Sequence, residues 1–280
     1  MLRIITVPIP AEWPIDGAVE NLKIGRYSVS EIISRIFTFS LNNIYVRGDF
    51  IPSPETAELL MSEKPVKIIS PDSNQIMCGN SDGPAEIYPP DNKSVQLQYP
   101  WDLLKLNEMF LENIQCDIQG EIHENTFISG NIQLGRNSII LPGVVIEGNT
   151  IIGESCKIGP NCYIRGKTSI GNNCHIGQAV EIKNSILGDH VNIGHLSYAG
   201  DSIISSHVNF GAGTIISNLR HDGKNHNFML GEKLVSTSRR KFGAFIGKHV
   251  HTGIHTSIYP GRSLSSFSTT LPGETVKYSK

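Results

Sequence analysis

Large aliphatic side chains recur at every sixth position through the middle of the chain: Ile122, Ile128, Leu134, Ile140, Ile146, Ile152, Ile158, Ile164, Ile170, Ile176 and Ile182. Neither the helical period of about 3.6 nor a strand alternation of about 2 yields that spacing, whereas a solenoid that turns a flat face every six residues does. The fourth position after each aliphatic is small or β-branched: Thr126, Ile132, Ser138, Val144, Thr150, Cys156, Cys162, Thr168, Cys174, Val180 and Ile186. A second inward or corner-filling site needs such residues. Glycine follows the aliphatic directly at 135, 153, 159, 171 and 177, which predicts permissive backbone at tight corners. Three hexads per triangular coil predict a left-handed parallel β-helix over residues 118–216.

After Ile182 the register slips to Leu187, Ile193, Ala199, Ile204, Phe210 and Ile216. A solenoid tolerates slips at corners, where sites are built. From Ser217 to Gly243 the pattern gives way to a polar loop with Arg220, Lys224, Lys233, Arg239, Arg240 and Lys241, then resumes at Ile246, Thr252, Ile258 and Leu264. A long loop thrown from a regular prism points to function. The β-helix domain is therefore expected over 116–280, with an inserted loop at 217–243.

Residues 1–100 lack the hexad pattern and read as a small α/β domain. Ser28-Val29-Ser30-Glu31 forms a capping-box sequence ahead of Val29, Ile32, Ile33, Ile36 and Phe37 on one helical face. Asn42-Asn43 breaks the chain before a strand at Ile44–Val46, and Ser53-Pro54-Glu55 starts a second helix. Pro65–Ile69 reads as a further strand of a parallel sheet, and Pro71 to Asn92 as extended connection. Residues 101–115 should form a connecting helix, with Leu103, Leu106, Phe110 and Ile114 on one face.

Composition narrows the function classes. The net charge of −2 gives no electrostatic grip on nucleic acid or an anionic membrane. The apolar start is broken by Pro8 and Pro10 and matches neither a signal peptide nor a membrane span, so a cytoplasmic protein is expected. The five cysteines lack zinc-type spacing. Cys156 and Cys174, eighteen residues and hence one coil apart, should stack as core filling inside the prism.

The slip region concentrates Glu181, Lys183, His195, Tyr198 and Asp201, followed by Val208-Asn209-Phe210-Gly211-Ala212-Gly213-Thr214 and Ser217-Asn218-Leu219-Arg220-His221-Asp222-Gly223-Lys224. From about Arg165 to Gly261 these residues resemble the acetyltransferase domain of the glucosamine-1-phosphate acetyltransferase/uridylyltransferases. The loop ending Arg239-Arg240-Lys241-Phe242-Gly243 is more similar to that of relatives known as sugar-1-phosphate nucleotidylyltransferase/acetyltransferases. The resemblance implies acetyl transfer from acetyl-CoA to an amino sugar, such as an amino-sugar 1-phosphate, with no metal required. His195 matches the family's general base, and an imidazole suits proton removal near neutral pH. Arg165 and Lys183 match the residues that hold the sugar phosphate, and their spacing of eighteen stacks them on adjacent coils as a two-cation clamp. Tyr198, Asn209 and Asn218 match hydrogen-bonding residues around the sugar. Lys224 matches a loop lysine that reaches the phosphate, in a loop two residues longer than in the bacterial enzymes. Ala212 and Gly213 match backbone that faces acetyl-CoA.

The chain departs from the family pattern in three places. It reads Thr252-Gly253-Ile254 where bacterial relatives carry a serine near the pantetheine arm, and the coils stop after Leu264. Residues 1–25 contain only Gly17 and Gly25 and no glycine-rich loop to cradle a triphosphate. About 100 residues is also roughly half of what such a nucleotide-binding domain needs, so nucleotidyl transfer is expected to be lost. Closed symmetry would let the basic loop of one subunit cover the His195 corner of its neighbour, which predicts a homotrimer. Two other readings compete. His190 and His195 have the five-residue spacing of two metal ligands in gamma-type carbonic anhydrases, but Glu154 stands where the third histidine is needed, and His175 and His207 fit neither position. The remaining reading is a regulatory or scaffolding subunit in which both activities have decayed.

Overall fold

A computed structural model describes residues 2–9, 21–24, 26–37 and 43–280. Pro10, Gly17, Gly25 and Asn42, which entered the sequence reading, lie outside the described residues. The chain divides into two compact units; among the described residues the first holds those up to Leu106 except Lys23, Ile24 and Arg26, which belong with Asn107–Lys280 to the second.

The first unit is built on a five-stranded sheet. Its strands are β1 (Leu2–Ile5), β2 (Ile44–Arg47), β3 (Val66–Ile69), β4 (Ile76–Gly79) and β5 (Glu86–Tyr88), in the spatial order β1-β2-β4-β3-β5. Pairing is parallel at both margins, β1 with β2 and β3 with β5, and antiparallel on both sides of β4. The sheet is thus mixed rather than parallel. The strand that makes it so lies inside the stretch expected to be connection, because Met77 and Cys78 are buried apolar residues hidden among turn formers. Helix α1 (Val29–Ile36) carries the expected capping box. The Glu31 amide donates to Ser28 Oγ at 3.2 Å, and the Ser28 amide donates to Glu31 Oε2 at 2.6 Å. Helix α2 (Pro54–Met61) starts with proline in its first turn, behind Ser53 as cap. The Ser53 and Thr56 hydroxyls donate to Asp91 at 2.5 and 2.8 Å. Partial burial works against the Asp91 charge, but these bonds and those from Ser94 outweigh it and hold the carboxyl at about 2.

Helix α3 (Asp102–Glu112) crosses the boundary between the units. Leu103, Leu106 and Ile114 are buried, as the pattern predicts, while Phe110 is only half-buried. From Asn107 onward the helix belongs to the solenoid. Asn107 is fully buried there, donating to the Lys167 carbonyl at 2.7 Å and accepting from the Ser169 hydroxyl at 2.5 Å.

The second unit is a left-handed parallel β-helix with three flat faces: face one of eight strands, face two of six and face three of eight. The hexad aliphatics form in-register ladders that fill the prism; on face three Ile146, Ile164, Ile182, Ala199, Ile216 and Ile258 stand one above another. Nearly all are fully buried, with Ile122 and Ile128 partly covered at the first coil. Cys156 and Cys174 stack inside as expected, and the Cys174 amide lies 3.4 Å from Cys156 Sγ.

Corners are made by residues in the left-handed region, one per turn of the backbone. Between faces one and two they are Asn137, Ser155, Asn173, His190, His207, His249 and Phe267; between faces two and three they include Asn161, Ala179, Leu196, Gly213 and His255. The corner from face three back to face one uses Gly130, Gly148 and Gly166, then Asn184 and Asp201. Most glycines that follow the hexad aliphatics therefore serve a different purpose from the one the sequence suggested. A Cβ on Gly135 or Gly171 would lie within 2.7 Å of backbone in the coil above, so these glycines permit close stacking of coils.

The register slip has a definite location. Between Ile182 and Leu187, and again between Ala199 and Ile204, the face-three-to-face-one corner is one residue shorter than in the coils below. The inserted loop leaves the prism after the face-two strand Asn209–Phe210 and the face-three strand Ile215–Ile216, and contains a hairpin of β6 (Asn227–Leu230) and β7 (Lys233–Ser236). The base of the loop folds onto its own prism: His226, Phe228 and Phe242 are buried, with Phe242 in edge contact with both others. Met229 and Leu234 on the hairpin remain exposed.

Candidate active site

The residues singled out from the sequence gather around the edge between faces two and three and across face three. Outward positions on face three form two ladders. One runs Tyr163, Glu181, Tyr198 and the other Glu147, Arg165, Lys183, Gly200. Arg165 and Lys183 therefore stand one above the other, as their spacing of eighteen requires.

Each cation already has a carboxylate partner. The Arg165 guanidinium lies 2.7 Å from Glu181, and this hydrogen bond raises the guanidinium's proton affinity further. The Lys183 ammonium donates to Asp201 Oδ2 at 2.9 Å, with the Lys183 side chain largely covered and Asp201 buried. An incoming phosphate would thus meet a balanced patch rather than two unneutralised charges. Arg165 is the more adaptable of the two, because both it and Glu181 are about a third exposed and their pairing is weakened by solvent.

Tyr198 and Asn218 form one unit. Asn218 Nδ2 donates to the Tyr198 hydroxyl oxygen at 2.9 Å and to Asp201 Oδ2 at 2.6 Å. Burial, followed by the charges of Asp201 and Glu181, pushes the Tyr198 phenol above its usual range, so it stays a neutral hydroxyl. Gly200 makes this arrangement possible. A Cβ there would come within 2.3 Å of the Tyr198 hydroxyl and 2.7 Å of Asn218 Nδ2.

His195 ends the face-two strand Asn192–His195, just before the left-handed corner residue Leu196. Its ring is exposed and has no hydrogen-bond partner among the described residues. Its carbonyl is tied down, accepting from Ser197 Oγ at 2.7 Å and from the Gly213 amide at 3.2 Å. The backbone is fixed while the imidazole faces outward. Ala212 and Gly213 occupy the same corner one coil higher, where the Ala212 carbonyl accepts from His255. Asn209 projects from face two, in register with Asn192 below and bridged to His251 above. It is thus separated by the corner from Tyr198 and Asn218. Lys224 is exposed in the loop's first arm, where its amide donates to Asp222 at 3.2 Å beside the Arg220–Asp222 ion pair. It shares no hydrogen bond or ion pair with Arg165 or Lys183 among the described residues.

The structure adds residues that the sequence reading left outside the site. Asp201 and Glu181 were seen only as members of the slip region, yet they partner both cations. Asn184, Glu108 and Arg239 extend the network from Asp201 to α3 and the loop. The available signal was the missing residue at two successive corners, because Asn184 and Asp201 occupy those corners. As for metal binding, His190 and His195 stand at opposite ends of one strand and face different corners. Among the described residues no group of three His, Cys, Asp or Glu side chains is placed to hold a metal ion.

Comparison with known proteins agrees with the resemblance read from the motifs. A family profile described as the GMPPB C-terminal domain matches residues 146–260. The bifunctional sugar-1-phosphate nucleotidylyltransferase/acetyltransferase of Sulfurisphaera tokodaii is 40% identical over 178 residues, covering 63% of this chain and 44% of that protein. The bifunctional protein GlmU of Methanococcus maripaludis strain C7 is 48% identical over 170 residues, covering 61% of this chain and 41% of its own length. That of Methanococcus aeolicus is 43% identical over 169 residues, covering 60% and 41%. The chain spans less than half the length of these curated relatives. The chain is thus similar over about 60% of its length to bifunctional proteins of this kind. No helix among the described residues is long and apolar enough to cross a membrane.

Proposed function

We propose that the chain is an acetyl-CoA-dependent N-acetyltransferase whose acceptor is an amino-sugar phosphate of the glucosamine-1-phosphate class. The observation that carries this reading is the juxtaposition of an exposed, unpartnered imidazole, His195, with a face holding Arg165, Lys183, Tyr198 and Asn218. The names of the relatives support acetyl transfer as the chemistry of that corner.

In this reading the phosphate docks on face three, displacing Glu181 from Arg165 and using the free N–H groups of Lys183. Lys224 swings in from the loop. Tyr198 and Asn218 hold sugar hydroxyls. The amine nitrogen attacks the thioester carbonyl carbon while His195 takes its proton; the new C–N bond forms as the C–S bond breaks, and His195 returns the proton to the departing thiolate. The amide of Gly213 is already bonded to the His195 carbonyl, and both N–H groups of Asn218 are bonded to Tyr198 and Asp201. The Tyr198 hydroxyl, which accepts from Asn218 and keeps its own proton, is therefore the stronger candidate to donate to the oxyanion. Acetyl-CoA lies along the corner lined by Ala212 and Gly213.

A convex corner cannot enclose a substrate by itself, and Asn209 lies on the far side of it. We therefore propose a homotrimer in which a neighbouring copy closes each site. An active, monodisperse monomer in light scattering would overturn that assembly. The first unit has no glycine-rich loop in its sequence, so nucleotidyl transfer is not part of this proposal; sugar-nucleotide formation from UTP or dTTP would refute that part. The deciding experiment for the activity is thiol release from acetyl-CoA against a panel of amino-sugar phosphates. Turnover that is abolished by His195→Ala supports the reading, and no turnover with any acceptor sinks it.

A further inference from the structure

Asp201 occupies one of the two shortened corners and adopts the left-handed conformation with φ of 51°. Its residue is 3% exposed, yet its carboxylate collects donors from three separate side chains. Oδ2 accepts from Lys183 Nζ at 2.9 Å and Asn218 Nδ2 at 2.6 Å, and Oδ1 accepts from Asn184 Nδ2 at 3.1 Å. A buried carboxylate is costly unless it is paired and hydrogen-bonded, and here it is both.

The three donors lead to different places. Lys183 belongs to the outward ladder of face three. Asn218 begins the inserted loop and also holds Tyr198. Asn184 donates in addition to Glu108 Oε1 at 3.0 Å, and Glu108 forms an ion pair with Arg239 near the loop's end. The backbone closes the circle: the Gly243 amide donates to the Asp201 carbonyl at 2.8 Å, and the Phe242 amide donates to the Asn218 carbonyl at 3.0 Å. The loop's first arm thus reaches the Asp201 side chain through Asn218 and its second arm through Arg239, Glu108 and Asn184, where Lys183 joins them, while Arg165 is held separately by Glu181. The coils below carry Gly148 and Gly166 at this corner, which offer no acceptor, so the connection exists only where the loop is inserted.

We propose that Asp201 is a positioning residue that couples the inserted loop to the sugar-phosphate face. It holds Lys183 and the Asn218–Tyr198 pair in place when the loop is seated, and it releases them together when the loop is displaced. The inference rests on the acetyltransferase reading for its kinetic consequence, but its structural content is independent of substrate.

The test is Asp201→Asn in the full chain, because asparagine tolerates the left-handed backbone, as Asn184 does at the corner below. The substitution puts an NH₂ group where an acceptor is needed, leaving donor facing donor. Tryptic cleavage at Arg220, Lys224, Lys233 and Arg240 should accelerate about tenfold at a temperature well below the melting transition of both proteins, since cutting follows the population of the open loop. The KM for the amino-sugar phosphate should rise about tenfold, with the KM for acetyl-CoA unchanged and kcat within about threefold, the signature of lost binding rather than lost chemistry. Wild-type cleavage rates, or an equal rise in both KM values, would overturn the proposal. If Asp201→Asn does not fold, Asn218→Ala decides instead: faster loop cleavage supports the coupling and an unchanged rate overturns it. If the wild-type protein transfers no acetyl group, the function reading fails while the cleavage arm still judges Asp201.

Discussion

The coils up to Ile182 and those after it share one interior and differ at their corners. Below, each coil takes eighteen residues, as in Ile146, Ile164 and Ile182; above, Ala199 and Ile216 follow at intervals of seventeen. The inward ladder is continuous across the change, so the core does not register it. What changes is the outside. Glycine corners give way to Asn184 and Asp201, a loop is inserted, and polar groups that lower down would be solvated are drawn into one network. A repetitive core tolerates such variation because each coil contacts only its neighbours. The difference teaches that a change at the corners can build a polar network on the outside while leaving the core unbroken, and the proposed site lies where the repeat departs.

The largest expected effect sets the two halves against each other directly. His195 and Gln178 are register partners on adjacent coils. His195→Ala should lower kcat about 10²–10⁴-fold, the usual worth of a general base, while Gln178→Ala should leave kcat unchanged in the same acetyl-transfer assay. Equal losses would mean that the corner is not specialised. Next come the shared ladders. Ile164→Ala below the slip and Ile216→Ala above it should each destabilise by about 2–5 kcal/mol, as large-to-small changes in packed cores do. Urea denaturation that found one of them much cheaper would show that the core does not continue evenly through the slip.

Arg165→Ala should raise the KM for the amino-sugar phosphate about tenfold with little change in kcat, because it removes binding more than chemistry. Glu147, one coil lower in the same ladder, is the control, and Glu147→Ala should not raise that KM. The smallest effect concerns the corners themselves. Gly148 has φ of 106° and a Cβ there would come within 2.5 Å of the Gly166 carbonyl oxygen, so Gly148→Ala should destabilise by more than about 1 kcal/mol. Asn184→Gly keeps the backbone conformation available and loses only its side-chain bonds to Asp201 and Glu108, so it should cost about 1 kcal/mol. Thermal melts of the pair would test whether shape governs the lower corners and hydrogen bonding the upper ones.

Much of this was legible in the sequence, for a physical reason that also marks where legibility ends. Burial selects a residue type at each inward position, so a six-residue period in Ile, Leu and Val reports the prism directly. Capping is likewise local, and the Ser28–Glu31 box formed as its spacing implies. The central strand Ile76–Gly79 of the first unit was missed because it is short and its flanks read as turn, even though one partner, Val66–Ile69, is close in the chain. At the proposed site, the family resemblance singled out His195 and the spacing of eighteen predicted the stacking of Arg165 and Lys183, but neither spoke of the cations' carboxylate partners.

The sequence by itself determined the coil, its handed repeat and the corner at which chemistry would be sought, because those follow from which side chains must leave water. Only the tertiary structure decided that Glu181 neutralises Arg165, that Asp201 is buried under three donors, and that Asn209 stands apart from Tyr198 across an edge. Such pairings depend on distances of a few ångströms between segments up to 131 residues apart, as in Glu108 and Arg239. No periodicity encodes them: a polar residue satisfied by a buried partner and one solvated at the surface leave the same letter in the chain.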